Sequence, residues 1–276
     1  MHHQLLPIMP ALGNYIANAS YFKQGADAYF EFKMVPRVFS TLFFVIEKKQ
    51  SLEMTYGVEN YDFNANSIYT FGAGNLPAAY RITSEMEVIL VQMHPGVSRL
   101  YHKDDAHIYT NQRFEITDID QNTKDLNEKL AYAGTMMYKW KLIQEYLIKR
   151  FQANFPEKYA AVSRAISILR THSGHFPIHN LGDQVYTSHR NLNYLFMEYV
   201  GFSPKKYADI IRFNSFVNLY SQRPEIFFDI ALQCGYHDLS HLNKDFLRYI
   251  GSSPSEYFDN FHSEFNNWCE LDYLRP

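Results

Sequence analysis

Laid over residues 236–259, residues 186–209 agree at ten of twenty-four positions, and this echo at an offset of fifty residues constrains the fold more than any other feature. The identical pairs are Tyr186/Tyr236, Leu192/Leu242, Asn193/Asn243, Phe196/Phe246, Tyr199/Tyr249, Gly201/Gly251, Ser203/Ser253, Pro204/Pro254, Tyr207/Tyr257 and Asp209/Asp259. Apolar exchanges such as Met197/Leu247 and Val200/Ile250 fall between them. A period near fifty marks one supersecondary unit used more than once. Two copies are too few for a solenoid, which needs about three repeats to close its core. The expectation is a pair of small helical units acting together.

Each copy reads as helix, turn, helix. In the second, Pro224 and Glu225 begin a helix whose apolar positions are Ile226, Phe227, Ile230 and Ala231. Gly235 ends it, because glycine alone takes a left-handed backbone without strain. Asp238 then caps a helix with Leu242, Phe246 and Ile250 on its apolar side. Gly251 closes that helix, and Ser253-Pro254 opens another. The first copy runs in parallel: a helix near 178–185, caps at Thr187-Ser188, apolar Leu192, Leu195, Phe196 and Val200, then Gly201 and Ser203-Pro204. Between the copies, Tyr207, Ile210, Ile211, Phe213, Phe216, Val217 and Tyr220 predict one long connecting helix.

The run DIALQCGYHDLSHLNKDFLRYIGSSPSEYF, Asp229 to Phe258, resembles the C-terminal signature of AraC/XylS-type bacterial transcription regulators, and GFSPKKYADIIRF resembles its companion motif. The resemblance covers roughly residues 160–260. It implies sequence-specific binding of double-stranded DNA by two recognition helices in successive major grooves. Matching positions nominate Arg190, Asn193 and Tyr194 in the first unit and Ser240, His241 and Lys244 in the second as base-reading residues. Arginine can grip guanine O6/N7, and asparagine can pair bidentately with adenine. Tyr194 and Leu247 stand where a basic residue is more usual in such proteins. From 164 to 257 the chain has nine basic and eight acidic residues, little positive charge for a DNA-binding module. Arg212 reads as a partner for an acidic neighbour.

The remainder predicts a second domain, since 276 residues suffice for two cores. Aromatic and β-branched runs at Ala28–Phe32, Thr41–Ile46, Ser67–Phe71 and Val88–Val91, with turn-forming groups at Glu59-Asn60 and 72–75 between them, read as strands of a small barrel or jelly roll. The stretch 72–101, with its Pro95-Gly96, resembles the sensor half of one branch of the same regulator family. Leu126, Leu130, Ala133 and Met137, then Trp140, Ile143, Leu147 and Phe151, keep helical spacing across a break at Gly134. That face either packs on the sensor or forms a dimer seam.

Enzyme chemistry has no motif: the sequence lacks a Gly-rich phosphate loop and a Gly-x-Ser-x-Gly elbow. His94, His102, Asp104, Asp105 and His107 lie close together, but no His-x-His occurs and 101–107 reads as a solvated turn, so no metal and no cofactor are expected. Two cysteines, Cys234 and Cys269, exclude a disulfide framework, and Cys234 reads as a small buried hydrophobe. No secretion signal or membrane-spanning run is evident, which predicts a cytoplasmic protein.

The expected organisation is α+β: a β-rich sensor domain over 1–118, linking helices over 119–156, an all-α pair of helix-turn-helix units joined by a long helix over 157–262, and an acidic, aromatic tail over 263–276. The expected partners are promoter DNA, a small-molecule effector at the N-terminal domain, RNA polymerase if the protein is an activator, and a second copy in a homodimer. The competing expectation is a protein-interaction adaptor whose helix-turn-helix half has weak or no DNA affinity.

Overall fold

The computed structural model describes residues 2–25, 29–48, 52–83, 85–117, 119, 121–151 and 155–259. The tail at 263–276, with Cys269, lies outside them. The chain begins with β1 (His2–Leu5), β2 (Ile16–Gln24), β3 (Phe30–Met34), β4 (Thr41–Lys48), β5 (Leu52–Tyr56), β6 (Glu59–Asp62), β7 (Ser67–Phe71), β8 (Ala78–Ile82) and β9 (Met86–Met93). A short helix α1 (Ser98–His102) and a 3-10 turn (Ala106–Tyr109) precede β10 (Arg113–Glu115). Two antiparallel sheets result, a six-stranded one ordered β1-β2-β9-β4-β7-β10 and a four-stranded one ordered β3-β8-β5-β6. They face each other as a sandwich and do not close into the barrel that the strand spacing also allowed.

The long apolar runs of β4 and β9 follow from their central place in the larger sheet. Successive side chains point to opposite faces, and here both faces are covered. Leu42, Phe44, Ile89 and Val91 meet the helices α2 (Gln121–Tyr132) and α3 (Met136–Arg150), through Leu126, Leu130, Trp140, Ile143 and Leu147. Phe43, Val45, Val88, Tyr69 and Phe71 instead meet the smaller sheet through Met34, Met54 and Tyr80, with Phe63 just past β6. The spaced apolar face of α2 and α3 is thus occupied by the protein's own sheet. Met137 alone of the named series is half exposed.

Two local expectations need correction. Glu59-Asn60 is not a turn but the start of β6. The reversal falls two residues earlier at Gly57-Val58, where Gly57 has a φ of 61°, a conformation that glycine takes freely. The segment 101–107 is not a solvated turn throughout: Tyr101 and His102 are buried at the end of α1. His102 Nε2 lies 3.1 Å from the Thr70 hydroxyl, its ring stacks on Tyr109, and burial pushes its pKa down to about 3.

The C-terminal helices are α4 (Tyr159–Thr171), α5 (Ile178–Gln184), α6 (His189–Tyr199), α7 (Pro204–Gln222), α8 (Phe227–Gln233), α9 (Leu239–Tyr249) and α10 (Pro254–Asp259). Their core gathers Val162, Leu169, Leu181, Leu192, Phe196, Phe213, Phe216, Ile230, Leu242 and Phe246. It also takes in Val35, Val38, Phe39 and Ala73 from the β-rich part, so the sheets and the helical units share apolar surface.

Candidate nucleic-acid interface

The two units are built alike. Helices α5 and α6 form the first, α8 and α9 the second, and the capping residues read from sequence make the expected bonds. The Ser188 hydroxyl accepts from the Asn191 amide at 3.2 Å, and Asp238 Oδ1 accepts from the His241 amide at 2.8 Å. Each satisfies a first-turn N–H that has no partner within its helix. Gly201 and Gly251, with φ of 88° and 78°, end α6 and α9. Ser203 and Ser253 cap the helices that follow.

The turns differ by one position. In the second unit Gly235 takes the left-handed conformation at φ 78°, whereas in the first Tyr186 itself takes it at φ 56°. The identical tyrosines therefore part company: Tyr186 is 88% exposed and Tyr236 only 1%. The buried Tyr236 hydroxyl donates to Asp245 Oδ2 at 3.0 Å. Arg212 from α7 lies 3.2 Å from Asp209, 3.8 Å from Asp245 and over the Tyr236 ring, the structural pairing its place in the sequence suggested.

On each second helix, Leu192, Leu195, Phe196 and Tyr199, or Leu242, Asp245, Phe246 and Tyr249, turn inward. The nominated residues turn outward. Arg190, Tyr194, Ser240, His241 and Lys244 are exposed, and Asn193 is partly covered because its side-chain amide donates to the His189 carbonyl at 2.9 Å. Arg190 and Tyr194 share a stripe, as do Ser240 and Lys244, since residues four apart stand one above the other. His241 sits to one side, its ring edge-on to Tyr236. Helix α7, with 19 residues, separates the units by roughly 28 Å at 1.5 Å per residue. That approaches the ~34 Å between successive major grooves on one face of DNA.

Sequence reasoning missed the contacts that hold these units against the β-rich part and the start of α4. Glu198, on α6, is buried with its Oε1 2.7 Å from Arg99 of α1 and 2.5 Å from Lys158 before α4. Burial alone would raise its carboxyl; the hydrogen bonds from Lys158 and Arg99 outweigh it and hold the group below the ordinary carboxylate range. The Thr110 hydroxyl donates to the Gly201 carbonyl at 3.0 Å. Asn214, wholly buried in α7, donates to the Pro36 carbonyl at 2.8 Å. No sequence period marks any of these, because each joins segments far apart in the chain.

Next to Pro36 stands Arg37, buried on the wall of a cavity of about 40 Å³ between the two sheets. Phe22, Phe32, Met34, Phe43 and Leu52 supply much of the lining, and Thr41 and Gln92 are its other polar members. The Arg37 guanidinium lies over the rings of Tyr56 and Phe71. Among the described residues, no three metal-ligating side chains come together and no helix is long and apolar enough to cross a membrane.

A β-sandwich carrying paired helix-turn-helix units defines the class of protein. Residues 181–260 match the family model described as "Helix-turn-helix domain". The chain carries an AraC/XylS-type helix-turn-helix domain over that span. The fold is similar to that of ToxT from Vibrio cholerae O395 bound to (E)-4-(8-methylnaphthalen-1-yl)but-3-enoic acid, with 12% identity, a TM-score of 0.50, and 88% of this chain and 98% of that one covered. Unsaturated fatty acid-bound ToxT from Vibrio cholerae strain SCE256 aligns with 15% identity and a TM-score of 0.48, over 89% of this chain and 95% of the other. The cupin domain of a transcriptional regulator from Enterobacter cloacae aligns with 18% identity and a TM-score of 0.26, over 34% of this chain and 99% of that domain. At 12% identity the first of these speaks to fold alone. Curated protein sequences contain no match.

Proposed function

We propose that this chain is a sequence-specific DNA-binding transcription regulator whose helices α6 and α9 enter successive major grooves. One observation carries the reading: at equivalent positions of two duplicated units, polar side chains face solvent wholly or, at Asn193, in part, while their helical neighbours are buried. Arg190/Ser240, Asn193/Asn243 and Tyr194/Lys244 are these pairs, on helices that α7 spaces by close to one DNA turn. Arg190 and Lys244 supply charge, and Asn193, Ser240, His241 and Tyr194 supply hydrogen-bonding edges.

The test is selection of bound duplexes from random DNA by the full chain at moderate salt, beside an Arg190→Ala/Lys244→Ala double variant. Two half-sites about one turn apart, lost in the double variant, are the expected result. No enrichment by the full chain or by a C-terminal fragment would favour the adaptor reading, which the near balance of nine bases and eight acids from 164 to 257 keeps in view.

The cavity between the sheets favours an apolar carboxylate as effector, because an arginine stands in a wall that is otherwise largely apolar. Two ToxT structures were solved with ligands of that chemistry, an unsaturated fatty acid and a butenoic acid. At about 40 Å³ the cavity is far below the roughly 300 Å³ of a ligand site, so binding requires the sheets to part. Arg37 adjoins the Pro36 carbonyl that Asn214 holds, which offers a direct path from effector to α7. A ligand shifts such an equilibrium only by its differential affinity for the two states. A thermal-shift series of linear carboxylates against wild type and Arg37→Gln tests this; equal stabilisation of both proteins would remove Arg37 from the reading. A homodimer would need surfaces other than the face of α2 and α3 that the six-stranded sheet already covers.

A further inference from the structure

The exposed stripes of α6 and α9 do not end at Tyr194 and Lys244. One turn further on, Met197 and Leu247 continue them, 38% and 60% exposed. The steps 190, 194, 197 and 240, 244, 247 are four and three residues, which keeps all three side chains of each stripe on one side of the helix. Seven residues rise about 10 Å, the height of roughly three base-pair steps at ~3.4 Å each. The rest of each stripe has diverged: Arg190 stands where the second unit has Ser240, and Tyr194 where it has Lys244. Only the slot at 197 and 247 is aliphatic and exposed in both copies.

A single exposed aliphatic residue is unremarkable on a protein surface. The same slot in two units, in line with the residues that would read bases, is a different observation. In a major groove the one apolar group presented by a base edge is the 5-methyl of thymine. We propose that Met197 and Leu247 are specificity-determining residues, each covering a thymine methyl group in its own half-site. This rests on the DNA-reading function proposed above. It also gives the units a source of discrimination that does not depend on phosphate neutralisation, which nine bases against eight acids supply sparingly.

Uracil in place of thymine removes the methyl group and nothing else. Starting from the duplex that the full chain selects, each thymine is replaced singly by deoxyuridine, and binding is measured by fluorescence anisotropy at fixed salt. Wild type, Met197→Ala and Leu247→Ala are compared; both side chains are exposed, and circular dichroism checks each variant's fold. At one thymine in each half-site, uracil is expected to weaken wild-type binding about fourfold, the effect of one methyl left uncovered. That sensitivity disappears in one half-site with Met197→Ala and in the other with Leu247→Ala. If no uracil substitution alters binding, or the same sensitivity persists in both variants, the thymine contact is wrong while the DNA-reading function stands. If the full chain and the C-terminal fragment select no duplex, both fall together.

Discussion

The two helix-turn-helix units share a backbone plan but are held in opposite ways. The first has an apolar core position at Leu195 and is fastened outward: Glu198 to Arg99 and Lys158, and the Gly201 carbonyl to Thr110. The second has Asp245 in place of Leu195 and is fastened inward, through Tyr236 and Arg212. Toward the sheets it makes an exposed Lys33–Glu256 ion pair at 3.0 Å. Helices of one plan thus have different anchoring partners. The first unit is tied to the β-rich part through Arg99 and Thr110, and the second is tied to α7 through Arg212.

Exchanging the two core residues at equivalent positions tests this most severely. Leu195→Asp places a carboxylate in an apolar core with none of the partners that Asp245 has, and about 4 kcal/mol of stability should be lost. The reciprocal Asp245→Leu should cost about 2 kcal/mol: the Tyr236 hydroxyl loses its acceptor, but Arg212 keeps Asp209 at 3.2 Å. Urea unfolding of both variants measures the pair. Equal costs would mean that the units are not differently anchored.

The next effect separates the fastenings. Glu198→Ala removes the carboxylate that Arg99 and Lys158 share but leaves Arg99 its 3.5 Å pairing with Asp105, an expected loss of about 1.5 kcal/mol. Arg248→Ala, at the matching but exposed position of the second unit, should stay within about 0.5 kcal/mol. Limited proteolysis of Glu198→Ala should open the segment between α3 and α4 before any site in α9. Early cleavage in the second unit instead would reverse the assignment of which unit is bound to the sheets.

A smaller contrast lies in the two glycines. Both have positive φ, so either alanine variant costs about 1 kcal/mol for its backbone. At Gly201 a Cβ would also come within 2.2 Å of the Thr110 hydroxyl and 3.1 Å of the Ala106 carbonyl, and at Gly251 it would meet Pro77 at an ordinary 3.4 Å. Gly201→Ala should therefore be about 1 kcal/mol the worse, with the Thr110 bond broken. Matching melting temperatures for the two variants would show that the Thr110 contact contributes nothing.

Much of the paired-unit architecture was legible because it is local. Caps at Ser188 and Asp238, stops at Gly201 and Gly251, and the connecting helix each depend on residues within one turn of each other. The outward placement of Arg190, Tyr194 and Lys244 was legible for the same reason, as the complement of an apolar period. Less could be read where partners are distant. β1, β2, β5, β6 and β8 carry weaker or more mixed apolar patterns, and no spacing rule links Glu198 to Arg99 or Asn214 to Pro36. Tyr186 and Tyr236 show the limit sharply: identical residues at equivalent positions end up on opposite sides of the protein surface because the left-handed residue shifts by one.

The smallest effect expected is with pH, and its sign follows from the Glu198 cluster. The folded carboxyl titrates below its ordinary value of 4.5, through the hydrogen bonds of Lys158 and Arg99 that overcome its burial. A group whose pKa is depressed by folding contributes fully above the unfolded value and loses that contribution as pH falls through the folded one. Wild type should therefore exceed Glu198→Gln in stability by a constant margin from pH 7 down to about 4.5, and the margin should shrink below it. The matching variant of the second unit, Arg248→Gln, removes no carboxylate and should show no such narrowing. Urea midpoints taken at intervals from pH 7 to about 3.5 decide it. A margin for Glu198 that holds or widens on acidification would mean that the carboxylate is not what binds the first unit to the sheets. The asymmetry between the units would then rest on Thr110 and the shared apolar surface around Val35, Val38 and Phe39.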